Sequence, residues 1–390
     1  NPFDMANPFT EDGHINPSAR LLYEGDWESE LIKPRLTQDY SLSASGTSKD
    51  RKTRYYISAG YRDDKGVFTV QEFKRFSSRV NVTSDIKEWF QLGTNVAMAH
   101  SREPYANGSV SFMRTVPTIY PIWKYDFVNQ QYITDDNGNR IYDYGNDRAS
   151  WIGWNPLADA EYNRTLFLYD NLSNRSFAEI TIMPGLKVRS SINVDYTINW
   201  DHYYVNPTYG FLEGRGRTTK ENTRHFAITQ NNILSYERTL WGVHNFSIMA
   251  GNESHQKVVN NVYAQREGFP CIGLEELAAA ATLTDAYSYE TNYRLLSYFS
   301  RLEYNFDNRY YISGSIRTDG SSRFHPDTRW GQFWSVGGSW RLSEESFLES
   351  ADWINNLQLK MSYGSVGNDN ISLYAYQGLF ATGYNDGTYP

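Results

Sequence analysis

The sequence lacks long apolar runs, cysteine pairs and aliphatic bulk. Its longest aliphatic patch is the short stretch LAAAATL from Leu277 to Leu283, whereas a transmembrane helix needs about 20 apolar residues. A single cysteine, Cys271, is present, which excludes an internal disulfide framework and a zinc site built on cysteines. These absences argue against a helical membrane protein and against a disulfide scaffold.

Charge and motifs give no sign of nucleic-acid binding or catalysis. The chain has 37 lysine and arginine residues and 45 acidic residues, which gives a net charge of −8, and it has no long runs of one sign. The sequence therefore has no basic patch of the kind that binds nucleic acid. HExxH, GxxxxGK and GxSxG motifs are absent, as is a GxGxxG that opens a helix. The seven histidines show no i, i+4 pairing. We therefore expect no enzyme, no cofactor and no nucleic-acid partner.

One loop begins like a calcium site. Asp135, Asn137 and Asn139 have the spacing of the first three ligands of a calcium loop. Arg140 and Asn146 stand where such a loop requires glycine and glutamate. A polar turn is therefore the preferred interpretation, and no metal is expected.

Aromatic residues are abundant. The chain has 31 Tyr, 20 Phe and 11 Trp, although hydrophobic residues make up only 40% and the mean hydropathy is −0.63. Flat rings and β-branched side chains suit a pleated sheet. From Leu186 to Ile198, apolar residues alternate with polar and charged ones such as Lys187 and Arg189. This period of two predicts an all-β fold with long, two-faced strands.

Twelve strands are predicted, and the links between them alternate in length. Apart from one medium-length link, at about 343–355, short links alternate with long loops at residues 101–163, 201–221, 257–290 and 320–331. In an up-and-down meander this alternation places all short links at one end, as in outer-membrane barrels. A soluble sandwich gives no reason for it. The predicted strands are residues 37–47, 52–62, 73–85, 88–100, 164–183, 186–200, 222–238, 242–256, 291–306, 308–319, 332–343 and 356–366.

The aromatic residues fall into two positional sets. Rings beside short links are candidates for a membrane-interface girdle, although strand-end packing in a sandwich is the alternative. Rings in long loops are candidates for stacking on a ligand or a partner, although packing of the loops against each other explains them equally well. The girdle candidates are Trp89, Phe90, Trp241, Tyr310 and Trp353, and the loop candidates are Trp123, Tyr125, Trp151, Trp154, Tyr209, Trp330 and Tyr384.

Several strings resemble the SusC/RagA family of TonB-dependent outer-membrane transporters. The most specific is YYISGSIRTDGSSRFHPDTRWGQFWSVGGSWRLSEESFL, from Tyr310 to Leu348. Similar segments in order are DYSLSASGTSKDRKTRYYISAGYRDDKGVF from Asp39, FKRFSSRVNVTSDIKEWFQLGTNV from Phe73, TIMPGLKVRSSINVDY from Thr181 and LKMSYGSVGNDNISLYAY from Leu359. Together they span nearly the whole chain.

The resemblance implies an architecture and a function. It implies part of a 22-stranded barrel occluded by a plug, in the bacterial outer membrane. Residues 1–36 would be an extracellular loop after a first strand outside this chain, residues 37–366 barrel strands, and residues 367–390 a truncated extracellular loop. The plug has no counterpart here, so we expect an internal portion of a longer protein. The implied activity is TonB-energised import of oligosaccharides or peptides with a SusD-like surface lipoprotein as lid.

Two other functions stay open at this point. A secreted β-rich carbohydrate-active enzyme or glycan-binding module would fit the loop aromatics and the acidic charge, and it predicts two sheets around a buried core. A surface assembly or adhesin barrel that transports nothing would fit the strand pattern, and no lid lipoprotein would co-purify with it. The residues alone do not name a substrate, because loop aromatics serve sugars and peptides alike.

Overall fold

The fold is dominated by one large antiparallel sheet, as the sequence predicts. The structure is a computed structural model that describes residues 3–68, 71–105, 116–146, 148, 153–210, 212–348 and 353–378. It has fourteen strands and two short α-helices among those residues. The strands are β1 (Thr37–Thr47), β2 (Thr53–Lys65), β3 (Glu72–Lys87), β4 (Phe90–Tyr105), β5 (Tyr125–Asp126), β6 (Gln131–Tyr132), β7 (Arg164–Met183), β8 (Leu186–Val205), β9 (Arg217–Leu240), β10 (His244–Glu267), β11 (Thr282–Phe306), β12 (Tyr310–Ser321), β13 (Trp330–Arg341) and β14 (Gln358–Ser365), and the helices are α1 (Trp27–Leu31) and α2 (Pro156–Tyr162).

The sheet is a continuous meander. Twelve strands pair in the order β1-β2-β3-β4-β7-β8-β9-β10-β11-β12-β13-β14, while β5 and β6 form a separate two-stranded sheet. Every neighbouring pair is antiparallel. Within the described residues, β1 and β14 are the two edges. None of the described helices combines the length and the apolarity that crossing a membrane requires.

One face of the sheet carries exposed aliphatic side chains. Ile248 on β10 lies opposite Leu302 on β11, and both are more than 40% exposed. Ile312 on the same face of β12 is 59% exposed. The adjacent residues on the other face, such as Ser247 and Arg301, are polar. Such alternation matches strands with one face toward lipid and one toward an aqueous lumen.

Buried hydrophobic side chains lie outside the centre of the sheet. Among the described residues they include Trp27, Ile122, Tyr142, Tyr209 and Phe269, all in loops or short helices. A sandwich would instead bury one face of each sheet against the other. The two-sheet core predicted for a secreted enzyme or glycan-binding module is therefore not the architecture of this chain.

The strands reach further than predicted at the end with long links. Strand β9 begins at Arg217, β10 ends at Glu267 and β11 begins at Thr282. The links predicted at 201–221 and 257–290 accordingly shorten to 206–216 and 268–281, and those at 101–163 and 320–331 to 106–163 and 322–329. Apolar and polar residues are mixed along these extensions, as in β10 where Val258 and Val259 are followed by Asn260 and Asn261, so the extensions lack the alternation that identifies a half-buried strand.

The short links are tight turns that depend on unusual backbone angles. Trp241 and Gly242 both have positive φ, as do Asp307 and Asn308, which is the signature of type I′ hairpin turns. Gly185 has φ +86°, and a Cβ there would lie 2.1 Å from the Glu237 carbonyl oxygen. Glycine is thus required at the link between β7 and β8.

Candidate functional site

Parts of two long links and the segment before β1 fold together into a packed body at one end of the sheet. We call this body the loop cluster, and it comprises residues 23–31, 116–146, 148, 153–163, 206–210 and 212–216. It contains α1, β5, β6 and α2. Two hydrophobic groups form its interior, one around Trp27 and Ile122 and one around Tyr142 and Tyr209. The loops at this end therefore have a core of their own.

Aromatic pairs hold the loop cluster together. The rings of Trp123 and Tyr142 stack with centroids 4.2 Å apart and planes at 21°. Those of Tyr144 and Tyr209 stack at 4.3 Å and 14°. A stacked pair of this kind stabilises a fold by about 0.5–1.5 kcal/mol more than the burial of its apolar area does. The long-loop aromatics thus contribute first to the internal stability of the cluster.

Two buried polar residues join the segments of the loop cluster. Asn155 is fully buried, and its amide donates to the carbonyl oxygens of Ile122 and Asp143 at 2.7 and 3.0 Å. Its oxygen accepts from the backbone amides of Leu157 and Ala158, so Asn155 is also the N-cap of α2.

Arg148 is the second of these polar connectors. Its guanidinium donates to the carbonyl oxygens of Trp154, Pro121 and Asp143, each at 3.0 Å. It also lies over the rings of Trp27 and Tyr120, with its Cζ 5.8 and 5.2 Å from their centroids. Arg148 therefore fixes the position of α1 relative to the segment before α2.

Asp159 is the most perturbed carboxyl group of the cluster. It accepts hydrogen bonds from the Tyr209 hydroxyl at 2.7 Å, from the Asn163 amide at 3.0 Å and from Trp154 Nε1. Burial raises the pKa of Asp159 to about 6, although the hydrogen bonds from Tyr209 and Asn163 oppose the shift. The carboxyl lines a cavity of about 350 Å³ together with Trp154 and Gly210. This acidic group is therefore held half-buried beside that cavity.

The structure brings most, but not all, of the predicted loop aromatics together. Trp123, Trp154 and Tyr209 pack in the loop cluster, and Tyr209, at 2% exposure, presents no free ring face. Tyr125 also belongs to the cluster and lies 5.0 Å from Tyr23, centroid to centroid. Trp330 is outside the cluster, at the start of β13, with its ring 6.3 Å from that of Tyr298. The candidates Trp151 and Tyr384 lie outside the described residues.

The girdle candidates lie at the opposite end of the sheet, beside the short links. Trp241 and Trp353 are 85% and 84% exposed, and Trp89 is 55% exposed. Trp89 stacks on Phe90 at 5.7 Å, and the Tyr310 hydroxyl donates to Glu345 at 2.6 Å. Exposed rings at this end are where an interfacial girdle would lie.

Trp340 also lies at that end, although it is not among the predicted girdle candidates. Trp340 lies opposite Tyr310 in the β12–β13 register, with ring centroids 6.3 Å apart. Its Nε1 donates to the same Glu345 carboxylate at 2.9 Å. Trp340 does not directly adjoin the predicted link between β13 and β14, so its position relative to the links did not identify it. Its alternation with Trp334 and Val336 on one face of the strand was a usable signal.

The segment that begins like a calcium loop is a hydrogen-bonded turn. The Asp135 carboxylate accepts from the backbone amides of Asn137 and Asn139 at 3.0 and 2.7 Å. These local bonds lower the pKa of Asp135. In the part of the chain that the structure describes, no three His, Cys, Asp or Glu side chains are grouped as metal ligands.

The chain is similar in sequence to TonB-dependent receptors. It is 28% identical to the TonB-dependent receptor SusC of Bacteroides thetaiotaomicron, covering 94% of this chain and 37% of the relative. It is 27% identical to the TonB-dependent receptor P39 of Formosa agariphila, covering 92% of this chain and 33% of the relative. This chain thus spans about a third of the length of these relatives. No profile of a known protein family matches it.

Solved structures agree with the sequence relatives. The RagAB peptide transporter superposes with a TM-score of 0.76 at 28% identity, covering 92% of this chain and 40% of the other. The "open-open" state of the RagAB peptide importer gives 0.77 at 29% identity, covering 91% and 39%. These relatives are receptors and transporters by name. This chain is therefore a homologue of the SusC and RagA TonB-dependent receptors, and a protein of the bacterial outer membrane.

Proposed function

We propose that this chain forms barrel wall and extracellular loops of a TonB-dependent importer of oligosaccharides or peptides. In this proposal the aliphatic face of the sheet contacts lipid and the polar face lines the import route. A SusD-like surface lipoprotein would cover the mouth, and the TonB complex would energise passage. The protein itself would catalyse no covalent reaction.

The asymmetry of the sheet carries this proposal. Its tight turns, with exposed Trp89 and Trp241, lie at one end, and the loop cluster lies at the other. Periplasmic turns are short and extracellular loops long in outer-membrane barrels. A loop body with its own core at the outer end offers a rigid surface to a lid and to cargo.

The aromatic residues take two roles in the proposal. The girdle candidates Trp89, Phe90, Trp241, Tyr310 and Trp353 would lie at the inner boundary of the membrane, where amphipathic rings are favoured. At the outer end, Trp330 is 48% exposed and can still offer a ring face to a ligand. The packed rings of Trp123, Trp154 and Tyr209 would act by keeping the loops in one conformation.

Uptake by cells tests the proposed import. The complete protein would be expressed in a host that lacks its own copy, and labelled oligosaccharides and peptides would be supplied with and without a protonophore. We expect energy-dependent accumulation of at least one ligand class, which is lost without TonB. If every labelled ligand accumulates equally in cells with and without the gene for this protein, import is refuted. Hydrolysis of a glycan by the purified protein would support the enzyme alternative instead.

A further inference from the structure

The link between β13 and β14 is unlike the other links at the end of the sheet with the short links. It comprises residues 342–357, whereas its neighbour at residues 241–243 is a tight turn. Among the described residues of the long link are Phe347 and Trp353, which are 62% and 84% exposed. A turn between two strands requires neither this length nor exposed rings, so the link has room for a role of its own.

The carboxylate of Glu345 fixes the first part of this link. The Tyr310 hydroxyl donates to Glu345 Oε1 at 2.6 Å, and Trp340 Nε1 donates to the same oxygen at 2.9 Å. The guanidinium of Arg309 lies 3.9 Å from the other carboxylate oxygen. The hydrogen bonds from Tyr310 and Trp340 lower the pKa of Glu345, so the group is a charged acceptor at neutral pH. Three groups of the strand ends thus hold one side chain of the link.

Both rings that donate to Glu345 lie on the aliphatic face of the sheet. Tyr310 precedes Ile312 by two residues on β12, and side chains two residues apart in a strand share a face. Trp340 lies opposite Tyr310 in the register of β12 and β13, so it belongs to the same face. Because Glu345 is bonded from that face, the link leaves β13 on the side that the proposed barrel turns toward lipid, and not beneath its lumen.

Contacts within this chain set the direction of the link. The groups that approach Glu345 belong to β12, to β13 and to Arg309 just before β12. In the proposed barrel, further strands would continue the sheet beside β14, and a plug would lie inside the lumen. Neither would lie on the outer side of β12 and β13. The outward direction of the link therefore rests on bonds that are present, and not on the lack of a partner.

The exposed side chains of the link suit the boundary between lipid and water. Phe347 follows Glu345 by two residues, and Trp353 and Leu357 lie in the part of the link that returns to β14. Aromatic rings favour the headgroup level of a membrane, and apolar side chains gain free energy when they leave water. Glu344 is exposed beside them, and its charge favours headgroups that carry an ammonium group over a purely anionic surface.

We propose that the link at residues 342–357 is a membrane anchor that inserts Phe347 at the headgroup level of the periplasmic leaflet, with Glu345 as its positioning residue. The partner is a phospholipid surface. The inference rests on the barrel of the proposed function and goes beyond the girdle, because it assigns membrane contact to a link and names the side chain that directs it. Glu345 stays at the edge of the lipid, bonded to Tyr310 and Trp340, while Phe347 enters it.

Fluorescence of a label at position 347 tests the anchor. The complete protein, with Phe347→Cys as its single reactive cysteine, would carry the environment-sensitive dye NBD in vesicles of phosphatidylethanolamine and phosphatidylcholine. We expect blue-shifted emission that lipid-borne nitroxides quench more strongly than water-soluble ones do. Loss of each hydrogen bond to Glu345 should favour release of the link about fivefold, so Glu345→Ala should favour it about 25-fold. In that variant the emission should shift to the red and the quenching by lipid-borne nitroxides should fall.

Glu344→Ala is the matched control variant, because it removes the neighbouring exposed carboxylate and should leave the label in lipid. Glu345→Gln keeps an acceptor oxygen and should retain most of the quenching by lipid-borne nitroxides. Heat-modifiable migration on gels reports whether each variant folds. If Glu345→Ala does not fold, Tyr310→Phe decides the result, since it removes one donor and should favour release about fivefold. A water-exposed label before any substitution, or equal quenching with and without the Glu345 or Tyr310 change, would overturn the proposal.

The outcome also separates this inference from the proposed function. A water-exposed label in a protein that shows energy-dependent uptake would overturn the anchor and leave import intact. A label in lipid in a protein that takes up no ligand would support the anchor and overturn import. Protection of the label from water-soluble nitroxides only after the periplasmic domain of TonB is added would overturn the assignment to a lipid surface.

Discussion

Replacement of Asn155 should loosen the loop cluster without disturbing the sheet. Asn155→Ala removes the N-cap of α2, which is worth about 1 kcal/mol. It also removes the two amide donations to Ile122 and Asp143, each worth about 1 kcal/mol. The local opening free energy of the cluster should therefore fall by about 3 kcal/mol, which corresponds to an opening population about 100-fold larger.

Hydrogen exchange read by mass spectrometry measures this opening. Peptides that cover residues 153–163 should exchange about 100-fold faster in Asn155→Ala, while peptides from β9 and β10 should keep their wild-type rates. Asn139→Ala is the matched control, because Asn139 is exposed and its side chain bonds only the local Asp135 carboxylate. Equal exchange at residues 153–163 in the two variants would refute the claim that Asn155 joins the loop segments.

Three further perturbations test other parts of the fold. Gly185→Ala should lower the free energy of unfolding by about 1–3 kcal/mol from the positive φ alone, and the contact of its Cβ with the Glu237 carbonyl oxygen should lower it further. An unchanged urea midpoint of the folded barrel would contradict this. The Asp159 pKa is raised from 3.8 to about 6, so its contribution to cluster stability is present below pH 3.8 and lost as the pH rises through about 6. Amide hydrogen exchange in the loop cluster, corrected for intrinsic rates, should therefore become faster over that pH range in the wild-type protein but not in Asp159→Asn. Corrected exchange rates that do not change with pH in the wild-type protein would refute the assignment. Trp241→Ala should lower unfolding free energy in lipid vesicles by about 2 kcal/mol, and no change would argue against a girdle role.

The sheet was largely predictable from the sequence. All twelve predicted strands exist, because half-buried strands keep a period of two that survives in regions such as Leu186–Ile198. The alternation of link lengths fixed which strand ends lie together. The outer parts of β9, β10 and β11 were missed, since apolar and polar residues do not alternate regularly there, as at Val258, Val259 and Asn260 in β10.

The interior of the loop cluster was not predictable. Its core joins Trp27 to Ile122 and Tyr142 to Tyr209, residues far apart in sequence with no shared period. Long-loop aromatics were recognised as candidates, but whether a ring packs inward, as for Tyr209, or stays exposed, as for Trp330, depends on tertiary contacts.

The most direct test of the account is the environment of alternate residues along β8. Spin labels would be placed one at a time on Ile192→Cys, Asn193→Cys, Val194→Cys and Asp195→Cys in the complete protein, with Cys271→Ser as background, in lipid vesicles. The account predicts that labels at 192 and 194 collide preferentially with oxygen dissolved in lipid, and labels at 193 and 195 with a water-soluble nickel reagent. Equal access of the nickel reagent to all four positions would contradict a sheet with one face in lipid and one lining an aqueous lumen.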